Sequence, residues 1–253
     1  MLPCFETNAQ GITISSSKDT TILANASISW EENGLPRSDT YGDIYFSASN
    51  PIEESSHVFI HGNDLESRMA NVSHTPLVIG ECGFGFGLNF LVTCERFCQL
   101  AQPESRMYFL SCEAHPVLRK DLGRFYKTLP TSLQPFAKHL LDNYPEQGKG
   151  LHRIVFQQQQ RHFTLDLLYD EAPAAFQQLT IPAPIIDAWY LDGHSPSKNE
   201  AMWDSNLFSI IAKLSKSGST LATYSVAGIV RENLKQAGFK VSKRTGYGNK
   251  RQM

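Results

Sequence analysis

The chain has no Cys-x-x-Cys, no paired histidine spacing and an odd number of cysteines, five in 253 residues. Those absences argue against a disulfide framework and against a zinc site or any other metal centre. Cys94 and Cys98 fall four apart, on one face of a helix, and buried free thiols account for them. Residues 1–10 carry neither a basic cluster nor an apolar core, so they are no secretory signal. The longest apolar stretch, 76–94, is broken by Glu81 and four glycines and should not span a membrane. The expectation is a cytoplasmic protein. Low-complexity linkers and internal repeats are missing, and 17 glycines and 13 prolines are ordinary usage, which excludes collagen-like chains. A net charge of −2 excludes a general polyanion binder. Acids, however, stop at Glu232, and Lys235, Lys240, Lys243, Arg244, Lys250 and Arg251 follow. That asymmetry is compatible with one local phosphate-facing patch.

What is present suffices for a core: 41% apolar residues, with 15 Phe, 9 Tyr and 3 Trp. Residues 1–75 read as an extension of short strands and turns, with helical stretches at 53–60 and 64–70. Residues 76–253 read as an α/β core, the whole forming one structural unit. Strands at 77–81, 106–112, 150–156, 161–168, 185–191 and 218–224 alternate with helices at 87–99, 116–126, 133–141, 172–178, 202–215 and 228–237, and 238–243 closes the series. That rhythm predicts a parallel, doubly wound, Rossmann-like sheet.

The sharpest local feature is Glu81-Cys-Gly83-Phe-Gly85-Phe-Gly87-Leu-Asn89, where the first parallel strand meets a helix. Ligands bind such sheets at the carboxyl ends of their strands, and glycines let the backbone approach them closely. A dinucleotide fingerprint needs Gly or Ala where Leu88 stands. Glu81 would also repel a pyrophosphate and welcome an ammonium, so the loop favours S-adenosylmethionine over a nicotinamide dinucleotide. Glu113 ends the second strand, 28 residues after Gly85, placed to accept from both ribose hydroxyls. Asp170 follows the strand 163–168 and is placed for an adenine amine, with Asp166 and Glu171 as competitors.

The second feature runs from Asp187 to Trp203, through Asp192-Gly-His-Ser-Pro-Ser-Lys-Asn199. Apolar residues deliver Asp192 to the carboxyl edge beside the glycine loop, and Gly193 and Pro196 force an irregular loop after it. A rigid strand with an exposed, unusual end suits catalysis. His194 is the alternative base, though a lone loop histidine is more often a hydrogen-bonding bystander. Tyr190 and Trp203 read as packing residues.

Four segments carry a resemblance to the methyltransferase domain of the bacterial bifunctional enzymes that complete 5-methylaminomethyl-2-thiouridine in tRNA. They are Asp43-Ile-Tyr-Phe-Ser with 53–63; Gly80 to Leu91; Trp189 to Trp203; and Ala237-Gly-Phe through Gly246-Tyr-Gly to Lys-Arg-Gln-Met. Phe86 stands where a small residue is usual, His194-Ser195 replace an aromatic and a small residue, and Tyr169 stands where Gly is expected. The resemblance implies a class I S-adenosylmethionine-dependent methyltransferase acting on the aminomethyl group of wobble uridine 34. It implies tRNA as partner, and FAD only where an oxidase domain follows or acts separately. In that frame Glu81, Gly83, Gly85 and Asn89 hold the methionine end, Glu113 the ribose and Asp170 the adenine side. Tyr45 covers the cofactor, Phe46 lies against the substrate, and Asp192 orients the amine and accepts its proton. Lys243 and Arg244 are candidate phosphate contacts. Tyr247 is a candidate for stacking on the base or for packing on the sheet. The rivals are a methyltransferase or aminopropyltransferase of another amine, a non-catalytic subunit of the same fold and, third, a nicotinamide dehydrogenase.

Overall fold

The computed structural model describes residues 4–7, 13–16, 23–47, 50–72, 74–145, 148–248 and 251–253. Lys250 of the basic tail lies outside them. The N-terminal part supplies β1 (Cys4–Thr7), β2 (Thr13–Ser16), β3 (Ile28–Trp30), β4 (Pro36–Ser38) and β5 (Asp43–Ile44). It continues through α1 (Pro51–Ser55), a π-helical turn (Ser56–His61) and α2 (Leu65–Ala70). Then come β6 (Leu77–Cys82), α3 (Leu88–Leu100), β7 (Arg106–Glu113), α4 (Arg119–Tyr126), α5 (Gln134–Asn143), β8 (Gly150–Gln158) and β9 (Arg161–Tyr169). The chain closes with α6 (Ala172–Gln177), β10 (Leu179–Thr180), β11 (Ile186–Leu191), a 3-10 turn (Glu200–Trp203), α7 (Ser205–Leu214), β12 (Ser215–Ala222) and α8 (Gly228–Gln236).

The central sheet has six strands in the order β12-β11-β6-β7-β9-β8. Side-chain alternation along its strands explains its burial on both faces. Ile79, Phe109 and Tyr190 face one core with Phe90, Leu122 and Phe136 of α3, α4 and α5. Val78, Tyr108 and Trp189 face another with Phe176, Leu207 and Val230 of α6, α7 and α8. Helices on both faces make the fold doubly wound, as expected.

The expectation of an all-parallel sheet is corrected at one edge, where β8 runs antiparallel to β9. Gln159 and Gln160 both hold positive φ, 48° and 61°. A two-residue link with both centres left-handed is the turn that matches strand twist in a tight hairpin, and it reverses the chain directly. The segment 238–243 is not a strand either. Phe239 and Val241 pack against the second core without pairing to β12. The stretch 53–60 divides into α1 and the π turn, and the 116–126 helix begins three residues late. There the Pro116 carbonyl accepts from Ala26 N and Asn25 Nδ2, tying the N-terminal part to the core.

At the middle of the sheet, Gly80 faces the buried indole of Trp189. A Cβ at Gly80 would lie 2.5 Å from the ring. Trp189 is fully buried, sits edge-on to Phe176 and donates from Nε1 to Ser215 Oγ, so it has nowhere to move. Gly80→Ala is therefore expected to cost about 3 kcal/mol by overpacking and to lower the thermal midpoint by roughly 5–10 °C. Gly228→Ala, where nothing lies within 4 Å, is the neutral control.

Candidate active site

The turn from β6 into α3 is built from left-handed glycines. Gly83, Gly85 and Gly87 hold φ of +87°, +51° and +70°. At Gly83 the need is steric as well, since a Cβ would fall 2.3 Å from the Asp192 carbonyl. The N–H groups of Gly83 and Phe84 donate to the Cys112 carbonyl at the end of β7, and Asp192 N donates to the Cys82 carbonyl. The carboxyl ends of β6, β7 and β11 are thereby stitched into one platform.

Above it lies a cavity of about 510 Å³, of a size that takes a small-molecule ligand. Its wall includes Tyr45, Phe46, Gly83, Gly85, Asn89 and Glu113 together with Asp170 and Asp192. Six carboxylates line it (Asp43, Glu54, Glu113, Asp170, Glu171 and Asp192), and no Lys or Arg does among the described residues.

Asn89, in the first turn of α3, is nearly buried and uses its whole carboxamide. Its Nδ2 donates to Glu81 Oε1 at 3.0 Å and to Asp192 Oδ2 at 2.6 Å, and its Oδ1 accepts from Ser55 Oγ at 2.6 Å. The other Asp192 oxygen accepts from the Tyr224 hydroxyl at 2.7 Å. Burial pushes the Asp192 carboxyl above the usual range, against the hydrogen bonds from Tyr224 and Asn89 that pull it down. Glu81, placed at the methionine end by the sequence, is not on the cavity wall. It is fully buried, with Ser111 Oγ donating to its second oxygen, and burial raises its pKa well. Its link to the cavity wall runs through Asn89.

Glu113 does face the cavity. It accepts from Gly85 N at 2.7 Å and His115 N at 2.8 Å, and burial pushes its carboxyl up to about 7. Of the three acids on β9 and after it, Asp166 is a bidentate partner of Arg153 inside the sheet, whereas Asp170 and Glu171 line the cavity. His194 lies against the Tyr41 ring at 4.3 Å, 3.7 Å from an Asp43 oxygen, and burial lowers its pKa. Trp203 donates to the His194 carbonyl, and Tyr190 is buried with its hydroxyl 3.0 Å from Thr93 Oγ1.

The cover comes from the N-terminal part. The Tyr45 ring would stand 3.4 Å from a Cβ at Gly85. Phe86 gathers Trp30, Tyr45, Phe46 and Phe125 around its ring at 4.9 to 6.2 Å. The tail residues lie elsewhere. Lys243 and Arg244 are exposed, Arg244 bonds the His61 carbonyl and Asp64, and Tyr247 donates to Glu53 beside a tilted His57 ring. Sequence reasoning missed Tyr224, Ser55 and Glu54. The strand order could have found Tyr224, since β12 is the neighbour of β11 and ends beside Asp192.

A family model described as S-adenosyl-L-methionine-dependent methyltransferase matches residues 131–253. A tRNA 5-methylaminomethyl-2-thiouridine biosynthesis bifunctional protein MnmC of Marinomonas sp. (strain MWYL1) is 41% identical over 231 residues, covering 91% of this chain and 33% of the relative. The protein of the same name from Stutzerimonas stutzeri (strain A1501) is 42% identical over 230 residues, covering 90% and 34%. Over residues 131–253 the chain is similar to this methyltransferase family. It spans about a third of the length of those curated relatives. The solved structure of MNMC2 from Aquifex aeolicus superposes with a TM-score of 0.70 at 22% identity, over 90% of this chain and 69% of that one, and shows the shared fold. The acid-lined, glycine-floored cavity fits a donor that carries a sulfonium and an ammonium. Among the described residues no cation lines the wall for a phosphate, no group of acids, cysteines and histidines is placed to hold a metal, and no helix is long and apolar enough to cross a membrane.

Two measurements follow from this geometry. Asn89→Ala leaves the buried Glu81 and half-buried Asp192 carboxyls without their shared donor and is expected to cost about 2 kcal/mol in denaturant unfolding. A ligand diol at Glu113 would need it as a carboxylate, and its raised pKa puts the loss of that acceptor at falling pH. S-adenosylhomocysteine affinity by calorimetry should rise about fivefold from about pH 6 to about pH 8, and Glu113→Gln should flatten the rise. A parent Kd that ignores pH would remove Glu113 from donor binding.

Proposed function

We propose that this chain uses S-adenosyl-L-methionine to N-methylate the 5-aminomethyl group of wobble uridine 34 in tRNA, giving 5-methylaminomethyl(-2-thio)uridine. The observation that carries the reading is the cavity wall: six carboxylates, no lining Lys or Arg, and one acid, Asp192, with both oxygens held in place. Such a wall favours a cationic amine and excludes phosphate, so a base would enter while the RNA backbone stays outside. The names of the relatives point to the same chemistry.

Bound donor supplies an already activated methyl group. Gly83, Gly85 and Asn89 would seat its amino-acid end, with Glu81 acting through Asn89, while Glu113 meets the ribose, Asp170 the adenine and Tyr45 closes over it. The chain's own task is to align the acceptor, keep water out and take a proton. A primary amine is mostly protonated at neutral pH, and its nitrogen has no lone pair until a proton leaves. Asp192 receives that proton, and its raised pKa suits it to do so. Asn89 and Tyr224 hold the carboxylate in one orientation throughout. Phe46 lies where an unstacked base would enter, and Lys243 and Arg244 meet backbone phosphates, with Tyr247 nearby.

In this reading residues 1–75 form an extension packed on the core at 76–253, the two making one unit. The partner is tRNA in the cytoplasm, and an FAD-dependent oxidase domain, linked or separate, prepares the amine. The test is single-turnover methyl transfer to two tRNA pools, one with the 5-aminomethyl wobble group and one unmodified. Label is expected only in the aminomethyl pool; label in neither, with normal donor binding, would refute the substrate. Asp192→Ala should keep donor affinity and lose at least about a hundredfold in turnover.

A further inference from the structure

Two segments that stand out in the sequence meet in space. The stretch 41–46 supplies the cover of the cavity, and the loop after β11 carries Lys198, to which the reaction above gives no task. The Lys198 ammonium donates to the Gly42 carbonyl at 2.9 Å and pairs with Asp43 Oδ1 at 3.2 Å. Resting on the methyl-transfer reading, we propose that Lys198 is a positioning residue. It fastens the segment 41–46 to the loop that follows Asp192 and so holds Tyr45 over bound S-adenosylmethionine.

The loop is a firm base for such a bond. Lys198 N and Asn199 N both donate to the Ser195 carbonyl, which closes a tight turn. Trp203 Nε1 donates to the His194 carbonyl at 3.0 Å, and the Tyr224 hydroxyl to the Gly193 carbonyl at 3.1 Å. The covering segment is the weaker side. β5 is two residues long, at the edge of the sheet β3-β4-β5, and pairs with β4 through Ile44 to Arg37 and Asp43 to Ser38. So short a strand supplies little order of its own. The Gly42 carbonyl also accepts from Arg37 Nη1 at 2.9 Å, and Asp43 Oδ1 from Ile44 N at 3.2 Å. Lys198 therefore grips groups that are already fixed within their own segment.

Rings complete the clasp. Tyr41 lies on His194 at 4.3 Å, His115 of the loop after β7 stands edge-on to Tyr41 at 5.8 Å, and Tyr45 stands edge-on to His194 at 5.5 Å. Two residues on from Asp43, the Tyr45 ring reaches Gly85 of the glycine floor. Asp43, Tyr45 and Gly85 are on the cavity wall and Lys198 is behind it, so its effect on a ligand passes through the segment it holds. Ordering the cover before the ligand arrives removes part of the entropy that binding would otherwise cost. The Lys198 and Asp43 side chains are 37% and 29% exposed, which keeps the pair's contribution to the fold itself small.

The test compares the parent with Lys198→Met, which removes the ammonium and keeps most of the stem, and Lys198→Arg, which keeps the charge. S-adenosylhomocysteine affinity by calorimetry should fall about fivefold in Lys198→Met, the loss of one charge-assisted contact, and return most of the way in Lys198→Arg. KM for S-adenosylmethionine, measured with tRNA carrying the 5-aminomethyl wobble group, should rise in step, with kcat changed by less than about twofold. The thermal midpoint without ligand should stay within about 2 °C of the parent. Asp43→Asn breaks the other end, and adding Lys198→Met to it should cost less than the two single losses combined. Unchanged affinity in Lys198→Met would overturn the role of Lys198. So would a loss that Lys198→Arg fails to recover, or one matched by a large drop in thermal midpoint. A rise in KM for tRNA alone would overturn it too, by making Lys198 a contact of the RNA backbone. A parent that binds S-adenosylhomocysteine but does not methylate the aminomethyl tRNA would overturn the substrate reading, while the calorimetry still decides Lys198. A parent that does not bind S-adenosylhomocysteine would overturn the donor reading and this inference with it.

Discussion

The carboxamide of Asn89 sits between two carboxyls, the buried Glu81 and the half-buried Asp192, and gives one N–H to each. Two like charges this close in a low-dielectric interior repel strongly, and neither can be left without a donor. Nor can any smaller polar residue span from the tip of β6 to the tip of β11 while accepting from Ser55 on α1. The start of α3 brings a further aid. Gly87 enters the helix in the left-handed region and offers no side-chain cap, so the positive end of the helix lies open beside the acids. The platform at the carboxyl edge, the α1 wall and the first turn of α3 all meet at this one amide.

Around that centre the N-terminal part adds what a bare parallel sheet lacks, a roof. The roof combines aromatic edges with polar ties, from Ala26 and Asn25 to the Pro116 carbonyl and from Lys198 to Asp43. Phe86 is buried in the glycine loop and presents its ring to Trp30, Tyr45, Phe46 and Phe125. Edge-to-face contacts are individually weak and tolerate small rotations.

Much of this was legible in the sequence, because strand alternation and strand-end acids are local signals. The places of Glu113 and Asp192 at the cavity followed from where apolar runs stop. Glu81 was read as facing the loop, yet parity along β6 puts it on the side of Ile79, toward α3. The side-chain period of two carried the correct answer, and proximity to the glycines masked it. Tyr224 and Ser55 were missed for another reason. Their roles depend on which elements become neighbours, a fact of sheet order and helix placement that no short window contains. The antiparallel β8 and the unpaired stretch 238–243 belong to the same class. Apolar residues mark both as packed, but pairing direction is settled by a two-residue turn in one case and by its absence in the other.

The contact between Gly83 and the Asp192 carbonyl has a consequence for how such a protein diversifies. With 2.3 Å available where a side-chain carbon would go, the glycine floor of the cavity and the strand end that carries Asp192 move as one. Neither can be re-aimed without the other, so a lineage cannot retune the two independently. Variation in what is accepted is pushed outward, onto the segment 41–47 and the loop 194–199, which meet through Asp43, His194 and Lys198. Those two rims can change in size and charge while the spacing between Gly83 and Asp192 stays the same.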